Sequence, residues 1–590
     1  MVRTEAVDVL VVGAGPVGLS AAAELRRRSV GCRLVDRLPA RLPYAKAVGV
    51  QPRTLEIWDR MGLVRAALDA AVPMRGQLVY VDGVERARIE LALPPEVPYG
   101  FAALPQYETE RVLEEYLGRF GTRIERGTEL VSFAQDADGV TSRLITASGA
   151  RREIRSRFLV GCDGAHSVVR KTLGISFEGG AFPEEYMLAD VEVDWDLPYG
   201  YGVRATHLGP DGAVDDLLVC VPLPGSGRYR MSMLVPPELS AARAAEDARG
   251  SGEGSVSESA DGVAHGPGGG RAPVLADVQA VLDRLSPRPT TASALRWSSV
   301  FRISHRLVDR YSDGRVLIAG DAAHIHPPTG AQGMNTGVQD ACNLAWKLAL
   351  AVEGDAAPGL LASYDAERRP IGEEVVGRTV RHAVEGIDHD PGDAAVLMLR
   401  EAQLLLGYRD SPLVGPPDPA GGDGPRPGDR APDCAGLTRE IAAHPLRLHE
   451  VLRGRDHVLL LYGNGNGNGY GYADGPGSGI GIGHGDPAGG APDASGAASA
   501  AGTELAALAR ELSLGRMETL LVLTRDAPDG RGSPLPVYRD SRGDFARRYA
   551  AREPTAFVVR PDGYLGARIS PPSREGLAAA LARVFRVRAG

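Results

Sequence analysis

Three glycines in GxGxxG register, Gly13, Gly15 and Gly18 of VDVLVVGAGPVGLS, lie between an apolar run ending at Val12 and a helix-patterned stretch reaching about Arg28. Residues of that type at that spacing can hold a pyrophosphate. The first glycine makes the tight turn, the second lets backbone approach the phosphates, and the third lets the helix pack on the strand. The helix that opens at Pro16 then offers its unbonded N–H groups and the positive end of its dipole to an anion. Asp36 closes the next strand-like run, Cys32–Asp36, where a carboxylate can hold a ribose hydroxyl. Arg37 follows it, either as a partner for a 2′-phosphate or as an ordinary solvated charge. This turn predicts a dinucleotide and does not separate FAD from NAD.

Two further stretches narrow the choice: GCDGAHSVVRKTLGI from Gly161, and RVLIAGDAAHIHPPTGAQGMNTGVQDACNLAWKL from Arg315. Together with the glycine turn they resemble the three fingerprints of the class A flavoprotein aromatic hydroxylases, the p-hydroxybenzoate hydroxylase class. Within that class the chain is similar to actinobacterial polyketide and rifampicin-type FAD monooxygenases. AKAVGVQPRTLEIWDRMG from Ala45, LPQYETERVL from Leu104 and SYDAERRP from Ser363 extend the resemblance over about residues 5 to 385.

The resemblance implies FAD as cofactor, NADPH or NADH as reductant, and a mobile flavin that removes the need for a second nucleotide domain. The implied reaction is hydroxylation of a phenolic or polyketide-type ring by dioxygen through a flavin C4a-hydroperoxide, in polyketide tailoring and antibiotic biosynthesis. Two other outcomes stay open: Baeyer–Villiger or epoxidising oxygenation of a polyketide, and FAD binding without oxygenase activity. Position by position, Gly320 and Asp321 match the GD motif that binds the ribose and pyrophosphate region. Asp163 matches the DG motif linked to FAD and NAD(P)H handling. Gln106 and Arg111 fall where relatives contact the pyrophosphate and ribityl chain. Lys46 stands where relatives often carry Arg, in the segment tied to flavin movement. Pro327, Gly330, Gly333, Met334 and Asn335 fall beside the isoalloxazine ring.

Elementary electrostatics supports the last group. A helix starting at about Gly333 points its N-terminus at the preceding loop, so the amides of Met334 and Asn335 can face the flavin edge that becomes negative on reduction. Glycines at 330 and 333 permit close backbone approach. His324 and His326 have no Asp, Glu or Cys partners at metal spacing, so they read as loop histidines, and no metal is expected. No Ser–His–Asp set or catalytic thiol is present, and no acid or base is assigned; Tyr229, His207 and His305 read as structural.

These residues need an α/β scaffold to position them: a Rossmann-like FAD-binding domain with an inserted antiparallel β-sheet substrate domain and a small α/β C-terminal domain. The expected boundaries are 1–176 for the first part of the FAD-binding domain and 177–300 for the substrate sheet, with a flexible insertion at 241–273. The FAD-binding domain resumes over 301–405 with long helices, and a thioredoxin-like C-terminal domain spans 426–590 with a Gly-rich insertion at 463–501. The substrate would sit under the inserted sheet close to Pro327, lined by sheet residues and by Trp297–Arg306. PRPGDRAPDC, HVLLLY and VVRPDGYLGARI carry the thioredoxin resemblance. Thioredoxin chemistry needs two neighbouring thiols, and only Cys434 lies in this region, so a redox-inactive tail is expected. The five cysteines are scattered without a CxxC, which argues for a reducing compartment. Net charge of −9 excludes a broad nucleic-acid surface. No signal peptide or 18-residue apolar run is visible, so a soluble cytoplasmic monomer or homodimer acting on a small aromatic substrate is expected, with neither membrane nor nucleic acid as partner.

Overall fold

The structure, a computed structural model, describes residues 5–44, 46–236, 239, 272–385, 393–416, 424–442, 444–464, 494–527 and 533–587. Most of the two low-complexity insertions, 241–271 and 465–493, therefore lies outside the described residues. The chain divides into two compact units. The first comprises residues 1–55, 63–342 and 368–403, and the second 56–62, 343–367 and 404–590.

The first unit is built on an eight-stranded sheet whose centre is parallel. Glu5–Val12 lies between Arg151–Gly161 and Cys32–Asp36, and Val316–Ile318 joins on the far side of Arg151–Gly161. The buried stretches Val9–Val12, Phe158–Val160 and Val316–Ile318 are continuous apolar runs because both faces are covered; Val9, Leu10 and Val11 are wholly buried. The helix Pro16–Arg27 follows the first strand and buries an Ala- and Leu-rich face, Leu19, Ala22, Ala23 and Leu25.

A second eight-stranded sheet has its long strands, Phe177–Val193 and Ala292–Val308, paired antiparallel. Its sequence alternates because its faces differ. Tyr229, Met231 and Met233 of Arg228–Leu234, with Met187, Ala189 and Val191, bury against the helix Leu275–Leu285 and its Val278, Val281 and Leu282. The intervening Arg228, Arg230 and Ser232 point to the opposite face. The sheet also takes in Gly76–Val81 and Val84–Glu90, which pair beside Tyr201–Leu208. That hairpin lies outside the 177–300 span expected for the substrate sheet. Its local pattern marks strands, but its attachment is a long-range pairing that no local signal encodes.

The edge strand His324–Ile325 pairs with Arg306 and Leu307 of the same sheet. One short segment therefore leaves the parallel sheet at Ile318, turns at Gly320–Ala322, becomes an edge of the antiparallel sheet and enters the helix Gly333–Glu353.

The second unit holds a six-stranded mixed sheet. Its central strand His457–Gly463 lies between parallel Met517–Leu523 and antiparallel Thr555–Val559. Helices cover both faces: Leu459 and Leu461 pack with Leu505, Ala509, Leu577 and Leu581, while Val458 and Leu460 pack with Leu448, Phe545 and Tyr549. Cys434 is buried in this core, and burial pushes its thiol well above the usual range. A buried ionic network anchors the unit. Glu367 accepts hydrogen bonds from Arg560 at 2.7 and 2.8 Å, Lys347 at 2.7 Å, Asn343 at 2.7 Å and Ser411 at 2.6 Å. Among the described residues no helix is long and apolar enough to cross a membrane.

Candidate functional site

The glycine turn has the geometry its spacing predicts, for reasons visible atom by atom. Gly13 has φ of +100°, and a Cβ there would lie 2.3 Å from the Cys162 carbonyl oxygen. A Cβ at Gly18 would lie 1.8 Å from the Gly13 carbonyl oxygen. Gly15 differs: a Cβ there would meet nothing within 4 Å. Its lack of a side chain is therefore not required by the protein's own packing. Gly15 caps the helix Pro16–Arg27 without a side-chain hydrogen bond, leaving first-turn amides directed at the open space.

Asp36 closes this end of the cleft. Its Oδ2 accepts a hydrogen bond from the Ala14 amide at 2.6 Å and its Oδ1 one from Leu38 at 2.7 Å. Arg126 approaches the same carboxylate at 3.8 Å and is also 3.5 Å from Glu114. A cavity of about 490 Å³ lies alongside, lined by Arg41, Leu42, Pro43, Tyr107, Glu114 and Arg126, among others. Arg37 is exposed. Gln106 holds the Ala47 amide at 3.2 Å and donates to Glu110 at 2.8 Å. Arg111 is occupied on its own helix, by Glu108 at 2.7 Å and Glu115 at 2.8 Å. In this arrangement the Arg111 guanidinium serves its helix.

Asp163 has one oxygen in use and one not. Oδ2 accepts from the Val168 and Val169 amides at 2.7 and 3.1 Å, whereas Oδ1 is buried with no partner among the described residues. Such an atom is costly unless a further donor reaches it. Asp321 is solvent-accessible yet closely surrounded by protein, as a group on the wall of a concavity would be; that crowding raises its carboxyl above the ordinary range, against the pull of His324 and Lys46. Open space at Gly15, an uncapped helix, the orphaned Asp163 oxygen and the recessed Asp321 together fit a bound dinucleotide.

The loop after the GD turn is held rigidly. Gly330 adopts φ of +69° and Ala331, unusually for a residue with a side chain, +54°. Asn335 is fully buried, and its side chain makes four contacts: it accepts from the Gln51 amide at 2.9 Å and Thr54 hydroxyl at 2.7 Å, and donates to the carbonyls of Gly49 at 3.0 Å and Ala331 at 2.7 Å. Its side chain is thus a pin for the loop, a role the sequence reading did not include. Gln332, also missed, donates to the Gly330 carbonyl at 3.0 Å and accepts from Gln403 at 2.7 Å. Asn335→Ala is expected to cost about 2–3 kcal/mol, since several buried partners lose their bonds together; urea denaturation followed by circular dichroism would measure it.

His326 lies in the loop, but His324 departs from the reading as a loop histidine. His324 is buried in the edge strand, with Nε2 at 2.7 Å from Asp340 Oδ2. Asp340 also accepts from the Gly320 amide at 3.1 Å and from Arg368 at 2.7 Å. Burial alone would raise the Asp340 pKa, but Arg368 and His324 outweigh it and hold the carboxyl below its usual range. The two partners in VQDACN and AERRP lie far apart in the chain, so spacing gave no warning of the network. Among the described residues no cluster of His, Cys, Asp and Glu could hold a metal ion.

His326 lies next to buried Pro327. Burial lowers its pKa to about 4, its Nδ1 faces the Pro327 carbonyl at 3.0 Å, and its buried Nε2 has no protein partner. A base whose folded pKa is depressed binds fewer protons folded than unfolded between about pH 6.5 and 4, so stability falls as pH drops through that window. At pH 5 the loss is on the order of 1–2 kcal/mol. His326→Gln is expected to lack this part of the acid loss, as urea titrations at pH 7 and 5 would record.

Of the three residues weighed as pocket bases, His207 is exposed and bonded to Asp215 at 2.7 Å, and Tyr229 packs on the helix-covered side of its sheet against Trp195. His305 stays on the long strand with its Nδ1 buried and unpartnered, edge-on to Phe182. The sheet face opposite the helix Leu275–Leu285 carries Tyr186, Leu188, Val219, Ser232 and Phe301, all half-buried, in cross-strand register.

Residues 6–249 and 269–379 match the FAD binding domain family. A flavin-dependent monooxygenase of Mycobacteroides abscessus is 34% identical over 467 residues, 77% of this chain and 88% of that protein. The 6-methylpretetramide 4-monooxygenase of Streptomyces rimosus is 34% identical over 484 residues, 78% of this chain and 79% of that one. Among solved structures, the OxyS anhydrotetracycline hydroxylase from Streptomyces rimosus aligns with a TM-score of 0.67 at 28% identity, covering 99% of this chain and 100% of that one. A family match over more than half the chain, on a glycine turn shaped for a dinucleotide, leads to one conclusion: the chain belongs to the class A flavoprotein aromatic hydroxylase family, FAD-binding monooxygenases that share this domain.

Proposed function

We propose that this chain, loaded with FAD, uses NADPH or NADH and dioxygen to place one oxygen atom on a phenolic or polyketide-type aromatic ring. The observation that carries the reading is the path of residues 318–333, which runs from the cofactor-binding sheet through the GD turn and along the edge of the antiparallel sheet. That path ties a flavin-side loop to a half-buried, largely apolar sheet face. FAD, when bound and reduced, supplies the activated oxygen; the protein's part is to bind, orient and exclude water.

Gly13, Gly15, Pro16 and Gly18 would cradle the pyrophosphate, with Asp36 toward a ribose and Gly320, Asp321 and Asp163 along the cofactor. The N-terminus of the helix from Gly333, with the amides of Met334 and Asn335, would stabilise negative charge at the ring edge. Gly330 and Pro327 would border the ring, and neutral His326 adds no competing positive charge there. Lys46 and Gln106 would serve the segment through which the ring meets nicotinamide, and Arg111 would reach the cofactor only by releasing Glu108 or Glu115. The C-terminal part is read as a thioredoxin-like, redox-inactive domain: its one thiol is buried and has no second cysteine to pair with.

The test is to purify the protein, record its visible spectrum, and measure NADH and NADPH consumption against a panel of phenols and polycyclic ketones under labelled dioxygen. Ring products carrying one labelled oxygen are expected. Ester products would replace hydroxylation by ketone oxygenation, and consumption that no aromatic compound stimulates would overturn the proposal.

A further inference from the structure

On the sheet face opposite the helix Leu275–Leu285 a buried ion pair stands one step along from Arg228 and Glu192. Asp190 and Arg230 face each other in register, and Arg230 donates from Nε to Asp190 Oδ1 at 2.5 Å and from Nη2 to Oδ2 at 3.0 Å. Their side chains are 6% and 4% exposed, Arg230 and Asp190 respectively. Trp297 is the cross-strand neighbour of Asp190 on the other side; the Arg230 guanidinium lies 5.3 Å from its ring centroid, and Tyr44 stacks on it at 4.6 Å with an interplanar angle of 4°.

The pair is not a closed system. A guanidinium carries five N–H donors, and Asp190 occupies the Nε and one Nη2 donor. Among the described residues Nη1 has no hydrogen-bond partner, and it is not sealed off from solvent. Those donors belong to a side chain on the sheet face that also carries Leu188, Ser232 and the Trp297 ring. Asp190 neutralises Arg230, so this pair offers directed donors without net positive charge of its own. A carboxylate placed there would meet Asp190 as well as Arg230 and would be desolvated without compensation. A neutral acceptor, a quinone or aryl ketone oxygen or a phenol, avoids that cost, and its fused rings suit a neighbourhood that already holds the stacked rings of Trp297 and Tyr44.

We propose that Arg230 is a specificity-determining anchor that donates from Nη1 to an uncharged carbonyl or phenol oxygen of a polycyclic aromatic substrate, and that Asp190 tunes it to refuse carboxylated ligands. This rests on reading that sheet face as the substrate side of the proposed oxygenase.

The test uses the full-length flavin-loaded protein, with flavin content checked for each variant. Two probes of similar shape are compared by equilibrium dialysis: quinizarin, neutral with ring carbonyl and phenol oxygens, and anthraquinone-2-carboxylate. The native protein is expected to favour quinizarin by about tenfold or more. Arg230→Met is expected to weaken quinizarin ten- to a hundredfold, the range for losing a hydrogen bond from a charged donor. Asp190→Asn keeps the shape but leaves Arg230 with net charge, and is expected to shift the preference about tenfold or more toward the carboxylate. A merely structural ion pair would move both probes alike. Should Arg230→Met fail to fold, the double variant Asp190→Leu with Arg230→Met removes both charges together, which buried pairs tolerate better than losing one partner; it should still lose quinizarin. An unchanged probe ratio in Asp190→Asn, or undiminished quinizarin binding in whichever Arg230 variant folds, overturns the assignment. Binding is read without turnover, so a shifted ratio in a protein that never oxygenates a ring would uphold the anchor while defeating the proposed reaction.

Discussion

Gly15→Val is expected to give a folded protein that no longer retains flavin. The three glycines of the turn are not equivalent. Valine at Gly13 or Gly18 would drive a side chain into backbone, 2.3 Å from the Cys162 oxygen or 1.8 Å from the Gly13 oxygen. Backbone cannot yield there without opening the strand–helix junction, so those variants should lose fold and cofactor together. At Gly15 the backbone is extended, with φ of −75° and ψ of −177°, which any residue adopts. No protein atom lies within 4 Å of the added carbon. The folding cost should be limited to the poorer helix cap, about 1 kcal/mol. A pyrophosphate lying on the uncapped helix terminus would collide with the new side chain, and the expected loss of FAD affinity is roughly a hundredfold or more, about 3 kcal/mol. Apoprotein titrated with FAD, alongside thermal melts of the Gly15 and Gly18 variants, separates the two effects. If Gly15→Val binds FAD as tightly as the native chain, the pyrophosphate does not lie on this turn.

That contrast marks what a reader of the sequence can see. The strand–turn–helix around Gly13 and the strand Cys32–Asp36 are local objects, written by apolar runs and glycine spacing, and they appear where the pattern puts them. The long helix from Gly333 likewise opens at a glycine after a Pro- and Gly-rich loop. The two faces of the antiparallel sheet were also legible in part. Tyr229, Met231 and Met233 share one parity and Arg228, Arg230 and Ser232 the other, so alternation alone removes Tyr229 from the open face. Buried charge was not legible. Glu367 and Arg368 stand side by side in SYDAERRP, yet each ends in a different buried network, one with Lys347 and Arg560, the other with Asp340. Nothing local distinguishes them from solvated charges on a helix, because the groups that neutralise them arrive from elsewhere in the chain. Asn335 shows the same limit: its backbone position was foreseeable, but its four side-chain partners come from residues 49, 51, 54 and 331.

Asp340→Ala is therefore expected to be among the most damaging single changes outside the glycine turn, although it touches no expected cofactor atom. The native carboxylate meets two buried groups at once: Arg368, bonded at 2.7 Å, and the ring nitrogen of His324, also at 2.7 Å. Removing it takes a charged partner from a guanidinium that is wholly buried. Loss of one partner from such a pair costs about 3–5 kcal/mol, because the remaining charge keeps its desolvation penalty without its attraction. The same oxygen that meets His324 also holds the Gly320 amide at 3.1 Å, and Gly320 sits at φ of +62° immediately before Asp321. Freeing that amide loosens the turn that presents Asp321, so weaker FAD binding should accompany the loss of stability. Asp340→Asn separates the contributions: it preserves an acceptor for Gly320 and the volume of the side chain, but removes the negative charge that faces Arg368. Urea denaturation should rank native above Asn above Ala, with FAD affinity falling in the same order. Adding Arg368→Met to Asp340→Ala should recover part of the stability, since the buried guanidinium that lost its carboxylate is gone, but should recover little FAD affinity, since the Gly320 amide still lacks this acceptor. Full recovery of both would mean that Asp340 acts on the turn only through Arg368, and that its bond to Gly320 contributes nothing to the cofactor site.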